Sequence, residues 1–383
     1  MHMNGWLRSG TLFSLLWSGI PSIALAQNAW QLPQKSWLYV LDADASADEG
    51  HVLLVDPDTA AVKGTITVGM EPDLTASPDG SRIFVVSGSS AQGKVVMYDA
   101  RTGHAVASTD IQQRILYTTW PQSSTIAVSR DGRWLFVETM QPMAPGIDRY
   151  DVLRFELARN SIREAGRAAL PECGIAQLAP ESDGDWDLLV HCPLSNIVRR
   201  ILFDIDGHVS KYADLELPSR PFDPAYGQRE HGLLRTQAIV YSGAGDDVLA
   251  LTGSNELCRL NFQHKSGPCS SFPTELQGRW IPRRPWSYST DGRFMYFGSG
   301  EVADRSQGTA SSIEIADTVT MTIVARIEVS TPFRTLAVDS RGEKLYAAGP
   351  QAHKIMQIDL KTKREIKEIA LPGFSPAIVV PAT

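Results

Sequence analysis

Apolar and polar positions follow a block pattern along this chain, and the same pattern occurs seven times. In each copy a turn pair such as Asp-Gly precedes a continuous apolar strand, and a later strand is usually closed by an Asp. The copies are 36–45, 77–88, 129–140, 181–192, 242–253, 289–300 and 339–350, of which the first lacks its leading turn. A repeat of roughly 50 residues is the period of a four-stranded blade. The pattern therefore predicts an all-β fold, a seven-bladed β-propeller of four-stranded antiparallel blades.

Within a copy, the turn pair separates the innermost strand from the second strand. Asp and Gly tolerate the positive φ angles of a tight hairpin. The second strand, for example 83–86, is apolar at every position, as expected when neighbouring blades cover both of its faces. Asp79, Asp131 and Asp291 are accordingly predicted to be turn residues and not catalytic carboxylates. The Asp residues that close third strands are predicted to form hydrogen bonds between blades; they are Asp56, Asp99, Asp317 and Asp359.

The two ends of the repeat array complement each other. The N-terminal copy has predicted strands at 36–42, 51–56 and 62–68 but no inner strand before them. The C-terminal segment 373–383 has the pattern of an inner strand with no blade after it. Joining them removes the open sheet edges of a linear array. We therefore expect the C-terminal strand to close the ring by pairing with the N-terminal blade.

The composition is that of a large acidic globular chain. Of its 383 residues, 43% are hydrophobic and 21% charged, and the formal net charge is −7. A negative charge argues against nucleic acid or an anionic membrane as a partner. No linker divides the repeats, so residues 27–383 are expected to form one propeller domain.

Residues 1–26 have the features of a secretory signal peptide. Arg8 is the only charged residue, 11–23 are predominantly apolar, and 24–26 form a small-residue cleavage site. The alternative is a membrane anchor, although the apolar run is short for a span. We therefore expect a periplasmic protein, secreted through a cleaved signal peptide, with no segment inserted in the membrane.

The four cysteines are placed symmetrically about predicted turns. Cys173 and Cys192 are centred on the Asp-Gly turn at 183–184, and Cys258 and Cys269 on the turn at 263–267. Each pair should therefore face across one hairpin, and an exported chain matures in an oxidising setting. Two disulfides are predicted. A metal site is not expected, because the pairs lie in different blades and no CxxC or HxH spacing occurs.

The segments that lead into the inner strands concentrate aromatic and arginine residues. The predicted channel rim consists of Tyr117, Trp120, His231, Arg283, Arg284, Trp286, Phe333, Arg334 and Phe374. Aromatic residues and Arg are enriched in protein-binding surfaces, so this rim is predicted to bind a partner or shape a channel. The alternative is that the aromatics fill the core and the arginines are solvated. There is no CxxCH, GxSxG, P-loop or HExxH motif, so no catalytic or cofactor-binding residue is expected in this chain.

Several stretches occur in an order that resembles the heavy subunit of methylamine dehydrogenase and related quinoprotein amine dehydrogenases. They are WLYVLDADASADEGHVLLVDPDTA, RILYTTWPQSSTIAVSRDGRWLFVETM, LPECG followed by LLVHC, and WIPRRPWSYSTDGRFMYF. The resemblance implies a non-catalytic propeller subunit that docks a small light subunit bearing tryptophan tryptophylquinone and shapes the substrate channel. It also implies a periplasmic copper protein or cytochrome as the electron acceptor of the complex. The family's substrate-gating aromatic has no counterpart in the loop 44–47.

Two other functions are compatible with the same repeats. One is a stand-alone periplasmic propeller that binds proteins and has no redox partner. The other is a propeller lactonase or related hydrolase that uses rim residues such as Glu172, His231 and Arg284.

Overall fold

Seven antiparallel β-sheets make up the part of the chain that the structure describes, and that part contains no α-helix. The structure is a computed structural model. It describes residue 30 and residues 36–42, 49–88, 92–115, 126–144, 147–171, 173, 177–181, 186–192, 195, 197–218, 238–242, 247–252, 256–271, 286–289, 291–299, 310–349 and 352–381. Each sheet is one blade, and the predicted seven-bladed propeller is confirmed.

The strands of blades 1 to 3 follow in chain order, and the innermost strand of blade 1 comes from the other end of the chain. They are β1 (Leu38–Asp42), β2 (Gly50–Asp56), β3 (Ala61–Val68), β4 (Asp73–Ala76), β5 (Arg82–Gly88), β6 (Gly93–Asp99), β7 (Ala105–Ile111), β8 (Arg114–Ile115), β9 (Ile126–Val128), β10 (Trp134–Ala144), β11 (Ile147–Ala158) and β12 (Ser161–Ala169). Blade 3 has a fifth strand, because β8 and β9 both pair with β10.

Blades 4 to 7 each have four strands in the order inner, second, third and outer. These strands, with the closing strand last, are β13 (Gln177–Pro180), β14 (Leu188–Cys192), β15 (Ile197–Phe203), β16 (Val209–Glu216), β17 (Ala238–Ser242), β18 (Asp247–Thr252), β19 (Glu256–Asn261), β20 (Cys269–Ser271), β21 (Trp286–Tyr288), β22 (Phe294–Ser299), β23 (Ala310–Asp317), β24 (Thr322–Phe333), β25 (Thr335–Val338), β26 (Lys344–Gly349), β27 (Lys354–Asp359), β28 (Arg364–Ala370) and β29 (Pro376–Pro381).

The ring is closed by the last strand. β29 pairs antiparallel with β1, with Val379 opposite Val40. Blade 1 therefore has the order β29-β1-β2-β3, and the predicted closure is confirmed. A second contact crosses the same seam, because Lys367 Nζ of blade 7 donates to the backbone oxygens of Pro57, at 2.9 Å, and of Asp58 in blade 1.

The core lies between neighbouring blades, which explains the continuous apolar second strands. Side chains of β5 alternate between two interfaces: Ile83 and Val85 pack toward blade 1, and Phe84 and Val86 toward blade 3. All four are essentially inaccessible to solvent. Burial on both faces removes the polar alternation of a half-exposed strand.

The Asp-Gly turns are hydrogen-bonded units of local structure. The Ser77 hydroxyl donates to Asp79 Oδ1 at 2.6 Å, and the Ser81 N–H donates to the same oxygen at 3.0 Å. Asp131 and Asp291 make the same pair of contacts in their own turns. The hydrogen bond from the preceding serine holds the pKa of Asp79 below its usual range. The prediction that these three carboxylates are turn residues is confirmed.

The Asp residues that close third strands cap turns of their own blades, so the predicted blade-to-blade role was wrong. Oδ1 of each accepts one or two backbone N–H groups two or three residues further along: Asp56 from Asp58 and Thr59, Asp99 from Arg101 and Thr102, Asp317 from Val319 and Thr320, and Asp359 from Thr362. The physical reason is that the Asp side chain is short. A short carboxylate at the start of a turn bonds the next free N–H groups of the same chain before it can cross to another sheet.

All four cysteines are paired as predicted, Cys173 with Cys192 and Cys258 with Cys269. The first bond joins the approach to β13 to the end of β14, and the second joins directly opposite residues of β19 and β20. Disulfides form and persist outside the reducing cytosol, so the chain matures in an oxidising, extracytoplasmic setting. The predicted signal peptide 1–26 lies outside the described residues. Over the described ranges, no helix has the length and apolar character needed to span a bilayer.

Candidate functional site

Several second strands are apolar for most of their length but have a polar residue at or next to the end, and these ends lie at one face of the ring. We call this the top face; inner strands begin there, and second strands, which run antiparallel to them, end there. The buried polar residues at or next to these ends are Asp42, Ser87, His191 and Ser299; Glu138 and Thr139 lie within β10, at the point where its pairing passes from β9 to β8. Such groups are costly to bury unless they are paired, so their concentration at one end marks the top face as the functional candidate. This signal is present in the sequence, in VLD, VVSG, VETM, LVHC and FGSG, whereas the predicted rim residues lie in the segments that lead into the inner strands.

The structure places four of the nine predicted rim residues, and it does not bring them together as one cluster. Trp286 is half-buried at the start of β21 and packs edge-to-face on Tyr288, with ring centroids 5.4 Å apart. The half-buried Arg334 leads into β25, and its N–H donates to the Ala348 oxygen at 2.7 Å. Phe374 is half-buried before β29.

Phe333 is fully buried between blades 6 and 7, so it is a core residue and is not available on the rim. Tyr117, Trp120, His231, Arg283 and Arg284 lie outside the described residues, as does Glu172 of the lactonase alternative. The role of the rim as a partner surface stays a prediction.

A histidine and a carboxylate face each other on the top face of blade 1. Asp42 ends β1 and His51 stands opposite it in β2. Asp42 Oδ2 lies 3.6 Å from His51 Nδ1, a distance at which opposite charges attract but longer than a hydrogen bond. The Asp42 side chain is 8% exposed and that of His51 is 35% exposed. With Nδ1 directed at the carboxylate, Nε2 is the imidazole nitrogen left for a substrate.

The other oxygen of Asp42 is held by the segment that leads into the closing strand. The Ser375 N–H donates to Asp42 Oδ1 at 2.6 Å. One residue earlier, the Phe374 oxygen lies 2.6 Å from Nδ1 of His353, in the connection between β26 and β27 of blade 7. The peptide between Phe374 and Ser375 therefore links His353 of blade 7 to Asp42 of blade 1.

A second polar cluster lies within blade 6. The Ser299 hydroxyl donates to Glu314 Oε1 at 2.6 Å, and Ser312 Oγ lies 2.9 Å from Ser299 Oγ. Arg326 Nη2 donates to Ser312 Oγ at 3.0 Å. Burial raises the pKa of Glu314, although the hydrogen bond from Ser299 and the Arg326 charge oppose this. These hydroxyls are satisfied within the cluster, and Glu314 is almost inaccessible, so the group has the features of a structural network.

The buried carboxylate of Asp151 ties blade 2 to blade 3. Gln113, just after β7, donates to its Oδ2 at 3.2 Å, and Arg149 Nε donates to its Oδ1 at 2.9 Å. The Thr139 hydroxyl completes the chain by donating to Gln113 Oε1 at 2.7 Å. These partners of Asp151 include no histidine, whereas Asp42 faces the half-exposed His51, so Asp42 with His51 is the better candidate for a reactive group.

His191 is a buried histidine with an unusual environment. It is the last residue but one of β14 and is only 3% exposed, and its Nε2 is buried without a hydrogen-bond partner. Burial lowers the pKa of His191 to about 4. The imidazole is therefore neutral at physiological pH, and its inaccessibility removes it from any direct role with substrate.

Metal-ligating side chains are dispersed over the described part of the chain. No group of three or more His, Cys, Asp or Glu residues there has the geometry to hold a metal ion. On the opposite face, a cleft of about 360 Å³ lies between the turns of blades 2 and 3. Its carboxylates, Asp79 and Asp131, are held by their turns, and Arg82 is held by Asp99 at 2.9 Å. The top-face pair of His51 and Asp42 is the arrangement suited to moving a proton.

The fold defines the class of this protein: a seven-bladed propeller closed by its own C-terminal strand. No family model matches the chain, and no curated protein matches it either. Solved structures with the same fold are numerous. A protein of unknown function from Desulfotomaculum acetoxidans is 13% identical, with 91% of this chain and 98% of that chain covered and a TM-score of 0.63. A periplasmic gluconolactonase from Pseudomonas aeruginosa is 16% identical, with 91% and 99% covered and a TM-score of 0.62.

A third similar structure is a putative 6-phosphogluconolactonase from Bacteroides fragilis, 12% identical, with 92% of this chain and 99% of that one covered and a TM-score of 0.58. At such identities the likeness concerns the fold.

The expected resemblance to amine dehydrogenase heavy chains is wrong. The similar structures reported above are two lactonases, one of them putative, and a protein of unknown function, and none of the three is such a heavy chain. Of the features that suggested the resemblance, the Cys173–Cys192 pair is a disulfide within one blade, and YTTWP and most of WIPRRPW lie outside the described residues. The predicted role as a subunit of an amine dehydrogenase, which depended on this resemblance, is therefore wrong as well. The expected light subunit, its tryptophan tryptophylquinone and the copper protein or cytochrome acceptor rested on that resemblance alone.

Proposed function

We propose that this chain is a stand-alone periplasmic hydrolase that opens lactones, and that His51 with Asp42 is its general base. The observation that carries the proposal is the pair itself. A half-exposed imidazole directs Nδ1 at a buried carboxylate 3.6 Å away, on the face where inner strands begin. Histidine oriented by a carboxylate is the commonest way to activate water or a hydroxyl near neutral pH.

The chemistry needs only water and these two side chains. His51 Nε2 accepts a proton from water as the oxygen attacks the lactone carbonyl carbon. Asp42 stabilises the imidazolium that forms, because its negative charge faces the protonated ring. When the ring C–O bond breaks, the leaving alkoxide takes the proton back from Nε2. The product is the open hydroxy acid, and the pair returns to its starting state.

Two further observations support the proposal. The gluconolactonase and the putative 6-phosphogluconolactonase are each covered over 99% of their length, so a propeller of this size is their whole chain. The two disulfides and the predicted signal peptide agree with the compartment printed for the Pseudomonas aeruginosa protein.

The test is lactone opening by the purified chain, followed as acid release in a pH-stat and corrected for spontaneous hydrolysis. The probes are δ-gluconolactone and 6-phosphogluconolactone. We expect His51→Ala to lower kcat/KM by roughly 10²- to 10⁴-fold, the usual contribution of a general base. His104→Ala, which removes an exposed histidine from a turn on the opposite face, is the matched control and should leave the rate unchanged.

A wild-type rate no faster than the spontaneous reaction, or a His51→Ala variant as fast as wild type, would refute the proposal. The first result would favour the alternative of a protein-binding propeller that uses the rim.

A further inference from the structure

His353 of blade 7, whose ring contacts the segment that leads into the closing strand, has a backbone conformation that favours glycine. Its φ is +51°. Four of the other non-glycine residues with positive φ, Ala60, Lys265, Met321 and Lys363, end the turns between third and outer strands. His353 instead lies in the top-face connection before β27. A non-glycine residue in this region is disfavoured and is held there by its surroundings, often near functional sites.

The contacts of His353 fix one short turn. Its backbone oxygen accepts the Leu371 N–H at 2.7 Å, and the Leu371 oxygen accepts the Phe374 N–H at 3.1 Å. Its ring then contacts the Phe374 oxygen at 2.6 Å. A carbonyl oxygen only accepts, so Nδ1 of His353 carries the proton. Gly373, with φ +82°, supplies the reversal inside this turn.

The residue directly after this turn holds the carboxylate of the proposed base. Ser375 donates its N–H to Asp42 Oδ1 at 2.6 Å, while Oδ2 of the same carboxylate faces His51 Nδ1. The position of Oδ2 therefore depends on where the turn delivers the Ser375 N–H, and the His353 ring holds the carbonyl oxygen of the same peptide group. An imidazole oriented by a carboxylate takes the tautomer that this carboxylate selects.

We propose that His353 is a positioning residue for the His51–Asp42 pair: through the Phe374–Ser375 peptide it fixes the Asp42 carboxylate, and thereby the tautomer and orientation of His51. The inference rests on the proposed function of this pair. It goes further in assigning a role to a residue of another blade, which touches neither the pair nor a substrate. Blade 7 and the ring-closing segment then become part of the catalytic arrangement.

The experiment measures the His51 tautomer directly in the mature chain. The protein is labelled with ¹⁵N-histidine, and long-range ¹H–¹⁵N spectra report which ring nitrogen is protonated; the His51→Ala variant identifies the His51 signals. His353→Gly removes the ring and relieves the positive φ, so it should fold. His353→Asn places an amide donor near the position of Nδ1 and also tolerates this φ.

In wild type we expect His51 to be protonated at Nδ1. In His353→Gly we expect a shift toward the Nε2-protonated form, with kcat lower by roughly 10- to 100-fold and KM little changed, as loss of alignment produces. His353→Asn should restore both the Nδ1-protonated form of His51 and the wild-type kcat. An unchanged His51 tautomer in a folded His353→Gly chain would overturn the inference, whatever the rates. The tautomer is measured without substrate, so this outcome is separate from a failure of the wild-type chain to open lactones.

Discussion

Burial of His191 predicts a specific loss of stability in mild acid. The folded-state pKa of His191 is about 4, against an ordinary value of 6.5. A histidine whose pKa is lowered by folding is held in its neutral form, so its contribution is complete above pH 6.5. It is lost as the pH falls from 6.5 toward 4, because the unfolded chain takes up the proton first.

The size of the effect follows from the shift. The difference is 6.5 minus about 4, or roughly 2.5 pH units, and each unit corresponds to about 1.36 kcal/mol, which gives about 3 kcal/mol. No discount for solvent screening applies, because the residue is only 3% exposed and its Nε2 has no partner.

The assay is urea denaturation of wild type and of His191→Leu at pH 7.5 and pH 4. Leu does not titrate and is similar in size to His. Between pH 7.5 and pH 4 the free energy of unfolding of the wild type should therefore fall by about 3 kcal/mol more than that of the variant. The control is His104→Leu, which changes an exposed histidine and should follow wild type. If His191→Leu loses as much stability as wild type, then His191 is not held neutral and the reasoning fails.

Two further substitutions test the packing of the ring, both by urea denaturation. A Cβ on Gly103 would lie 0.8 Å from Trp30 Nε1, so Gly103→Ala must displace this buried ring and should cost at least about 3 kcal/mol more than Gly132→Ala. Gly132 has nearly the same φ, +71° against +69°, but its Cβ would meet nothing closer than 3.7 Å, so equal losses would contradict the clash. Arg200 and Glu181 form a fully buried ion pair at 2.9 Å, so Arg200→Met should cost about 3–5 kcal/mol by removing the cation that offsets the buried carboxylate charge. Adding Glu181→Leu should recover much of that loss, and a double variant as unstable as the single one would argue against an electrostatic origin.

Local patterns were sufficient to predict the fold. Asp-Gly turns, apolar second strands and the unpaired strands at both ends each reflect a rule that acts over a few residues, and the ring follows from repeating it. The disulfides were predictable for the same reason, since Cys258 and Cys269 need only the position of one hairpin. The predicted role of the Asp residues that close third strands was wrong, because a sequence does not show whether a carboxylate accepts hydrogen bonds within its own turn or from the next blade.

The candidate site depends on contacts that the sequence leaves hidden. His51 meets Asp42 through the register of one hairpin, but Asp42 meets Ser375 across almost the whole chain. No periodic pattern reports such a pair. The family resemblance failed for a related reason, because a few ordered segments and one cysteine pair on a propeller do not define its function, which belongs to the residues of the site.

The closing strand also gives the chain a demanding folding route. The hydrogen bond between Ser375 and Asp42 joins residues 333 positions apart, so one of the most distant pairs in the sequence lies at the candidate base. Contacts of such separation form slowly, because the entropy of closing the loop must be overcome before the contact stabilises anything. The first and the last strands must therefore meet before Ser375 can hold the Asp42 carboxylate of the candidate pair. A nascent or clipped chain that lacks its last strand can hold six complete blades without this hydrogen bond, so the proposed lactonase activity would report completed folding more sharply than β-sheet content.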